Sequence, residues 1–376
     1  MMKKSLVAVL AVAGSTAVMA QSSVTLFGVV DAGVGSYKST GAGRVTGMFS
    51  GGYNTPRLGF RGVEDLGGGL SAGFWLEGQV NPDTGTGASS GAFAFTRRST
   101  VSLTGPFGEV RMGRDFVASY PMTFSFDVSE QRGFSQVEIL GMSSAGVSGV
   151  SAFRASNSVS YFLPNTLGGF YGQLQYAFGE SASTVTPTAN AAGLSASAAA
   201  AATKRTGNYA GIRGGYASGP VNVAASYGQY FDATRTVSGS SYAGDFKVAN
   251  VGASYDFGFV KPMGFVQTDK IEGRAGIPAY QFNTYAIGAT APIGAGLLRV
   301  QASHYKQDNT ANGANKYSVG YVYNLSKRTA LYGDVARLNN KGISTYQVDG
   351  VSGLSIAAPV AGGNSTAFGV GVKHSF

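Results

Sequence analysis

The last ten residues show the pattern most cleanly. Phe368, Val370, Val372, His374 and Phe376 fall on one side of a two-residue period, and Ala367, Gly369, Gly371, Lys373 and Ser375 on the other. Alternation of this kind marks a β-strand with two unlike faces. Ser23 to Asp31 (SVTLFGVVD) alternates more loosely. Segments of about ten residues with this character recur to the C-terminus, as in strands that cross a membrane obliquely. The predicted strands are 23–37, 54–64, 69–80, 93–104, 108–115, 156–163, 169–179, 206–218, 220–232, 245–257, 258–270, 280–292, 297–308, 315–326, 328–338 and 366–376. That is about 16 strands, an even number of the kind that closes a single-chain barrel.

The connections alternate in kind. Asp65-Leu66-Gly67-Gly68, Gly105-Pro106-Phe107-Gly108, Asn165-Thr166-Leu167-Gly168, Gly219-Pro220 and Gly294-Ala295-Gly296 are tight turns. The intervening ones are longer and polar or low in complexity, notably 181–205, with an alanine run at 198–202, and 339–365. Short turns at one end and long loops at the other fit a transmembrane barrel better than a soluble β-sandwich.

Composition strengthens this choice. Charged residues make up 12% of the chain, about half the roughly 25% usual in soluble domains. Gly, Phe and Tyr are abundant, at 57, 23 and 20 residues. Met1 to Ala20 carries Lys3 and Lys4, an apolar stretch from Leu6 to Ala13 and small residues up to Ala20, the layout of a cleavable export signal. Gly14-Ser15-Thr16 interrupts that stretch too early for a spanning helix of about 20 residues. Residues 1–20 are therefore read as a signal peptide and 21–376 as one barrel domain. After residue 20 no apolar run reaches the length of a helical span, which leaves the closed antiparallel β-barrel as the membrane-compatible architecture. With about 16 strands, such a barrel encloses water rather than a packed interior.

The longest break in alternation in the first half is 116–155. It carries Asp127, Glu130 and Glu138, with Phe124, Phe126 and Phe134 between them. A loop of this length is unusual unless it has a function, and its aromatics need burial. It is expected to fold into the lumen and narrow it, with the three carboxylates as an acidic face. Parity supplies the opposite face. Leu58 and Phe60 point outward, so Arg57 and Arg61 point inward; Phe95, Val101 and Leu103 send Arg98 inward and Arg97 outward or to a rim. The same counting gives lumen parity to Arg154, Ser158, Arg111 and Arg299. A lipid-facing arginine costs about 2–4 kcal/mol at the bilayer midplane, so inward placement is also the cheaper one. Arginines around a pore favour anions. The formal net charge of +9, to which Lys3 and Lys4 contribute two, has the same sign.

Several segments together resemble the general porins of β-proteobacteria. These are Gln21 to Asp31 (QSSVTLFGVVD), Arg57 to Gly67 (RLGFRGVEDLG), Arg97-Arg98 before Val101-Ser102-Leu103, Gly113-Arg114, Asn157 to Tyr161 (NSVSY) and the terminal Phe376. The resemblance implies a trimeric, sixteen-stranded outer-membrane barrel that passes ions and small hydrophilic solutes by diffusion. It implies a third loop folded into the pore and a basic constriction cluster, carried here by Arg57, Arg98 and Arg154. Phe376 is similar to the terminal signal read by the barrel-assembly machinery. Phe124 to Phe134 (FSFDVSEQRGF) departs from the Pro-Glu-Phe-Gly-Gly pattern of some members.

Other function classes find little in the residues. The two histidines, His304 and His374, both have outward parity, and no G-x-S-x-G elbow is present. With no cysteine and no histidine pair, a metal centre or other cofactor is not expected. No basic cluster suggests nucleic acid. External lysines could engage lipopolysaccharide. The alternative function is an adhesin or structural anchor, with 181–205 and 339–365 carrying partner contacts, though both are poor in aromatics.

Overall fold

In a computed structural model the residues described are 23–88, 92–137, 153–180, 205–237, 240–272 and 279–376. The expected signal peptide and Glu138 lie outside them. The strands are β1 (Ser23–Ser39), β2 (Gly43–Ser50), β3 (Arg57–Gly67), β4 (Leu70–Gln79), β5 (Arg98–Gly105), β6 (Gly108–Phe116), β7 (Arg154–Phe162), β8 (Phe170–Ala177) and β9 (Tyr209–Ser218). They continue as β10 (Val221–Val237), β11 (Ser240–Tyr255), β12 (Lys261–Ile271), β13 (Tyr280–Ile293), β14 (Gly296–Gln307), β15 (Gly313–Asn324), β16 (Thr329–Lys341) and β17 (Asn364–Ser375). One short helix, α1 (Tyr120–Ser125), lies between β6 and β7.

These strands make a closed antiparallel barrel of sixteen staves. The lower half of β1 pairs with β3, from Ser23↔Val63 to Val29↔Arg57, and its upper half with β2, from Ala32↔Ser50 to Ser39↔Gly43. β2 and β3 are thus two pieces of one stave. Between them the backbone leaves the ladder, and Asp31 on β1 accepts the freed amides of Gly52, Tyr53 and Asn54 at 3.2, 3.0 and 2.6 Å. Tyr332 donates its hydroxyl to the same carboxylate at 2.6 Å. The barrel closes where β1 meets β17, and Phe376 extends that seam by exchanging two 3.1 Å backbone hydrogen bonds with Gly28. Closure leaves no sheet edge facing lipid, where an unpaired amide would cost several kcal/mol.

The two faces of the wall are opposite in character. Val24, Leu26, Val30 and Val34 on β1, and Phe368, Val370 and Val372 on β17, are exposed on the outside. Ser226, Asn250 and Gln267 stand side by side on β10, β11 and β12, as do Gln301 and Ser318 on β14 and β15, and all five face inward and are buried. This inversion of a soluble protein is the arrangement of a barrel in lipid with a polar lumen. No helix among the described residues is long and apolar enough to cross a membrane.

The predicted strands recur with shifted ends. β5 begins at Arg98 instead of residue 93, while β10 and β11 run on as a long hairpin past an irregularity between Tyr230 and Ala233. β2 has no counterpart in the prediction. Its inner residue Phe49 is fully buried and its outer residue Met48 is exposed, so both of its faces carry apolar groups and the polar-inside pattern is absent.

Candidate functional site

The segment after β6 turns into the barrel and lines the β10–β17 half of its interior. Asp127, Ser129, Glu130 and Gln131 form a tight turn in it. The Asp127 carboxylate is buried and accepts from the amides of Ser129, Gln131 and Val137 at 2.9, 3.0 and 3.0 Å, and from the Ser129 hydroxyl at 2.9 Å. Burial pushes its pKa up, and these hydrogen bonds oppose the shift. Asp127 therefore folds the loop instead of facing the pore, which corrects the expectation for this residue. Glu130 and Gln131 adopt left-handed backbone conformations, with φ of 52° and 56°. That conformation is costly for non-glycine residues and persists where surroundings enforce it; here the Asp127 hydrogen bonds do so.

Three apolar side chains of the loop seat against glycines of the wall. A Cβ on Gly252 of β11 would stand 2.5 Å from Phe126, and one on Gly288 of β13 would stand 2.6 Å from Val128. At Gly369 of β17 it would meet Phe49 at 2.6 Å and Phe134 at 2.7 Å. Phe134 also packs edge-on against Tyr37 and Phe49, with ring centroids 5.2 and 5.1 Å apart. Polar ties complete the seat. The Ser135 hydroxyl donates to Asp334 at 3.0 Å, and Asp334 in turn pairs with the buried Arg299 at 2.8 Å. Lys316 donates to the Gln136 carbonyl and Tyr305 to that of Val137.

The other half of the wall stays open to water and carries the arginines. Arg57 and Arg61 project inward from β3, Arg98 from β5 and Arg111 from β6, as parity requires. Glu77 on β4 lies between two of the cations, 2.6 Å from Arg97 and 3.9 Å from Arg57. Arg97 thus turns into the lumen and not outward, because it precedes β5 and is not bound by that strand's alternation. Asp115 is shared by Arg111 at 2.6 Å and Arg98 at 3.9 Å, and Arg111 also holds Glu109 at 2.9 Å.

Arg154 reaches the same region by another route. Asn157, with φ of 55°, lies in a register shift, so that Ala155 and not Ser156 stands opposite the inward Asp115 and Arg154 loses the lumen parity of Ser158. Arg154 sits opposite Phe116 at the very start of β7, with its guanidinium 4.5 Å over that ring, and donates to the Arg97 carbonyl at 2.7 Å. A cavity of about 340 Å³ opens here between wall and loop. Arg97 and Arg154 line one side, Glu130 and Arg132 the loop side, and Asp349 enters from the β16–β17 connection. Glu130 and Arg132 form an ion pair at 2.5 Å, so the loop presents nearly balanced charge. Arg97, Arg132, Glu77 and Asp349 are residues that sequence parity did not find. Arg132 lies next to the left-handed turn, and Arg97 and Asp349 lie off the strands.

Cations are in excess across this constriction and the wall beside it. Arg57, Arg61, Arg97, Arg98, Arg111, Arg132 and Arg154 face Glu77, Glu109, Asp115, Glu130 and Asp349. His304 and His374 lie away from it, bonded to Asn315 and Thr329 at 2.7 and 2.9 Å. Among the described residues no group of histidines and carboxylates could hold a metal ion.

Comparison with known proteins agrees with this architecture. Residues 6–343 match the family model described as Gram-negative porin. The chain belongs to that family. It is 39% identical to outer membrane porin protein 32 of Delftia acidovorans, with both chains covered in full. It is 32% identical to an outer membrane porin protein of Bordetella pertussis, again over both full lengths. Among solved structures it is similar to an anion-selective porin from Comamonas acidovorans, with a TM-score of 0.79, 38% identity and coverage of 95% of this chain and 100% of the other. The barrel is accordingly that of an outer-membrane porin, and its water-filled interior is a diffusion channel. The porin's third loop is the segment just described.

Proposed function

We propose that this porin passes inorganic ions and small hydrophilic solutes with a mild preference for anions, set at the constriction between loop 3 and the arginine wall. The observation that carries this reading is the surplus of guanidinium groups over carboxylates there. Fixed cations at a narrow point lower the energy of a passing anion and raise that of a cation. The anion-selective porin from Comamonas acidovorans, 38% identical, supports the same sign. In this reading Arg57, Arg61, Arg98 and Arg154 act on the basic side, joined by Arg97. Glu130 tempers them from the loop, and Glu138 is assigned with it from sequence alone. Residues 1–20 are removed on export, Phe376 serves as the assembly signal, and three copies associate in the outer membrane in contact with lipopolysaccharide. The channel is not an enzyme and carries no cofactor.

The test is conductance of the purified protein in a planar lipid bilayer, with reversal potential measured across a salt gradient. Conductance steps in threes with an anion-selective potential are expected. Replacing Arg57, Arg98 and Arg154 together by Ala should abolish or reverse that potential while conductance persists. An unchanged potential would overturn the assignment of these residues.

A further inference from the structure

Arg61 differs from the carboxylate-bound arginines of the wall. Arg57, Arg97, Arg98 and Arg111 are each tied to a carboxylate, and their side chains are 13–22% exposed. Arg61 is exposed to the lumen, and among the described residues it has no ion pair or hydrogen bond. Two aromatic faces hold it instead. Its guanidinium carbon stands 5.5 Å from the Phe27 ring centroid and 5.2 Å from that of Trp75. The two rings pack against each other at 4.9 Å. Trp75 is fixed from its far side, because its Nε1 donates to Glu77 at 3.2 Å and Arg98 lies 4.6 Å from its ring.

The consequence is a cation that is oriented but not neutralised. Stacking on aromatic faces fixes a guanidinium without using its N–H donors. Its planar fork matches a carboxylate, which can take two parallel hydrogen bonds. Because rings already hold the side chain, little ordering cost is added when an anion arrives. Phe27 and Trp75 are half-buried, so their uncovered edges offer apolar surface beside the fork. Arg61 lies four residues from Arg57 toward the short β3–β4 turn, roughly 13 Å along the strand. The shelf is therefore a separate station on the path of a solute.

We propose that Arg61, shelved on Phe27 and Trp75, is a contact site for small monocarboxylates with a short apolar tail, on the short-turn side of the constriction. This rests on the anion-preference reading and names a solute class for it. Trp75 is the chain's single tryptophan, so its fluorescence reads the shelf, and loss of the response in an Arg61 variant separates Arg61 from the neighbouring Arg98.

The experiment titrates the full-length protein in detergent with iodide as quencher at constant ionic strength, with and without butyrate. Saturable quenching that butyrate displaces is expected, with the low-iodide response falling about tenfold in R61Q, the scale of one charge-assisted hydrogen bond. R61K should lose butyrate displacement although the charge remains, since the planar fork is gone. Linear quenching indifferent to butyrate, or saturable quenching retained in R61Q, would overturn the proposal. Reversal potentials on the same preparations separate the two claims. Anion selectivity without a saturable site removes the shelf and leaves the selectivity reading, whereas a saturable site in an unselective pore does the reverse.

Discussion

At the residue scale, the wall's carboxylates matter as much as its arginines. Glu77 sits against both Arg97 and Arg57 and cancels part of the field that a passing ion meets. A unit charge about 7 Å from the ion path is worth about 0.6 kcal/mol in water, a factor of about three in local concentration. Replacing Glu77 with Gln keeps an acceptor for Trp75 and removes the charge. The anion-to-cation permeability ratio of E77Q, read from reversal potential, should therefore rise by about the square of that factor, roughly sevenfold, because the anion gains what the cation loses. Asp127 works differently, because its buried carboxylate accepts from the backbone amides of Ser129, Gln131 and Val137 and so holds the turn together. Each buried donor left unsatisfied costs about 1–3 kcal/mol. D127A should loosen loop 3, giving larger and noisier single-channel currents with the barrel intact. The sequence placed Asp127 and Glu130 together as acidic groups, but their roles part at a turn formed by short-range hydrogen bonds that composition does not reveal.

At the scale of elements, loop 3 is held where the wall lacks side chains. Gly252 lies in regular strand conformation on β11, so a larger residue is tolerated by the backbone but not by the 2.5 Å approach of Phe126. G252L should displace the loop from its seat and raise single-channel conductance, whereas the same substitution at the open Gly214 of β9, where a Cβ meets nothing within 4 Å, should not. The strands were legible because lipid outside and water inside impose a period of two on nearly every stave. That rule also placed Arg57, Arg61, Arg98 and Arg111 correctly. It fails where a strand is covered on both sides, as at β2 with Phe49 beneath the loop, and where a register shift intervenes, as at Asn157 before Arg154. Arg97 and Arg132 escape it because neither belongs to a strand.

At the scale of the whole molecule, selectivity is the property of a long-range field, and salt tests it. The closed barrel confines ions to one water-filled path between the arginine wall and loop 3, so charges several ångströms from the axis act together. Their reach is set by the solution: the screening length is about 10 Å at 0.1 M salt and about 3 Å at 1 M. An ion midway between Arg97 and Glu130 feels the whole cluster in the first case and only its nearest neighbours in the second. The anion preference should therefore decline severalfold when the mean concentration of a fixed-ratio gradient is raised from 0.1 to 1 M, while conductance continues to grow. The arginines lie on several staves and on the loop, so no single substitution should abolish this dependence, but the triple replacement of Arg57, Arg98 and Arg154 should flatten it. A preference that held constant across that range would mean that ions are chosen by direct contact at a site, not by the summed field. The Arg61 shelf would then be the part of the pore where selection occurs.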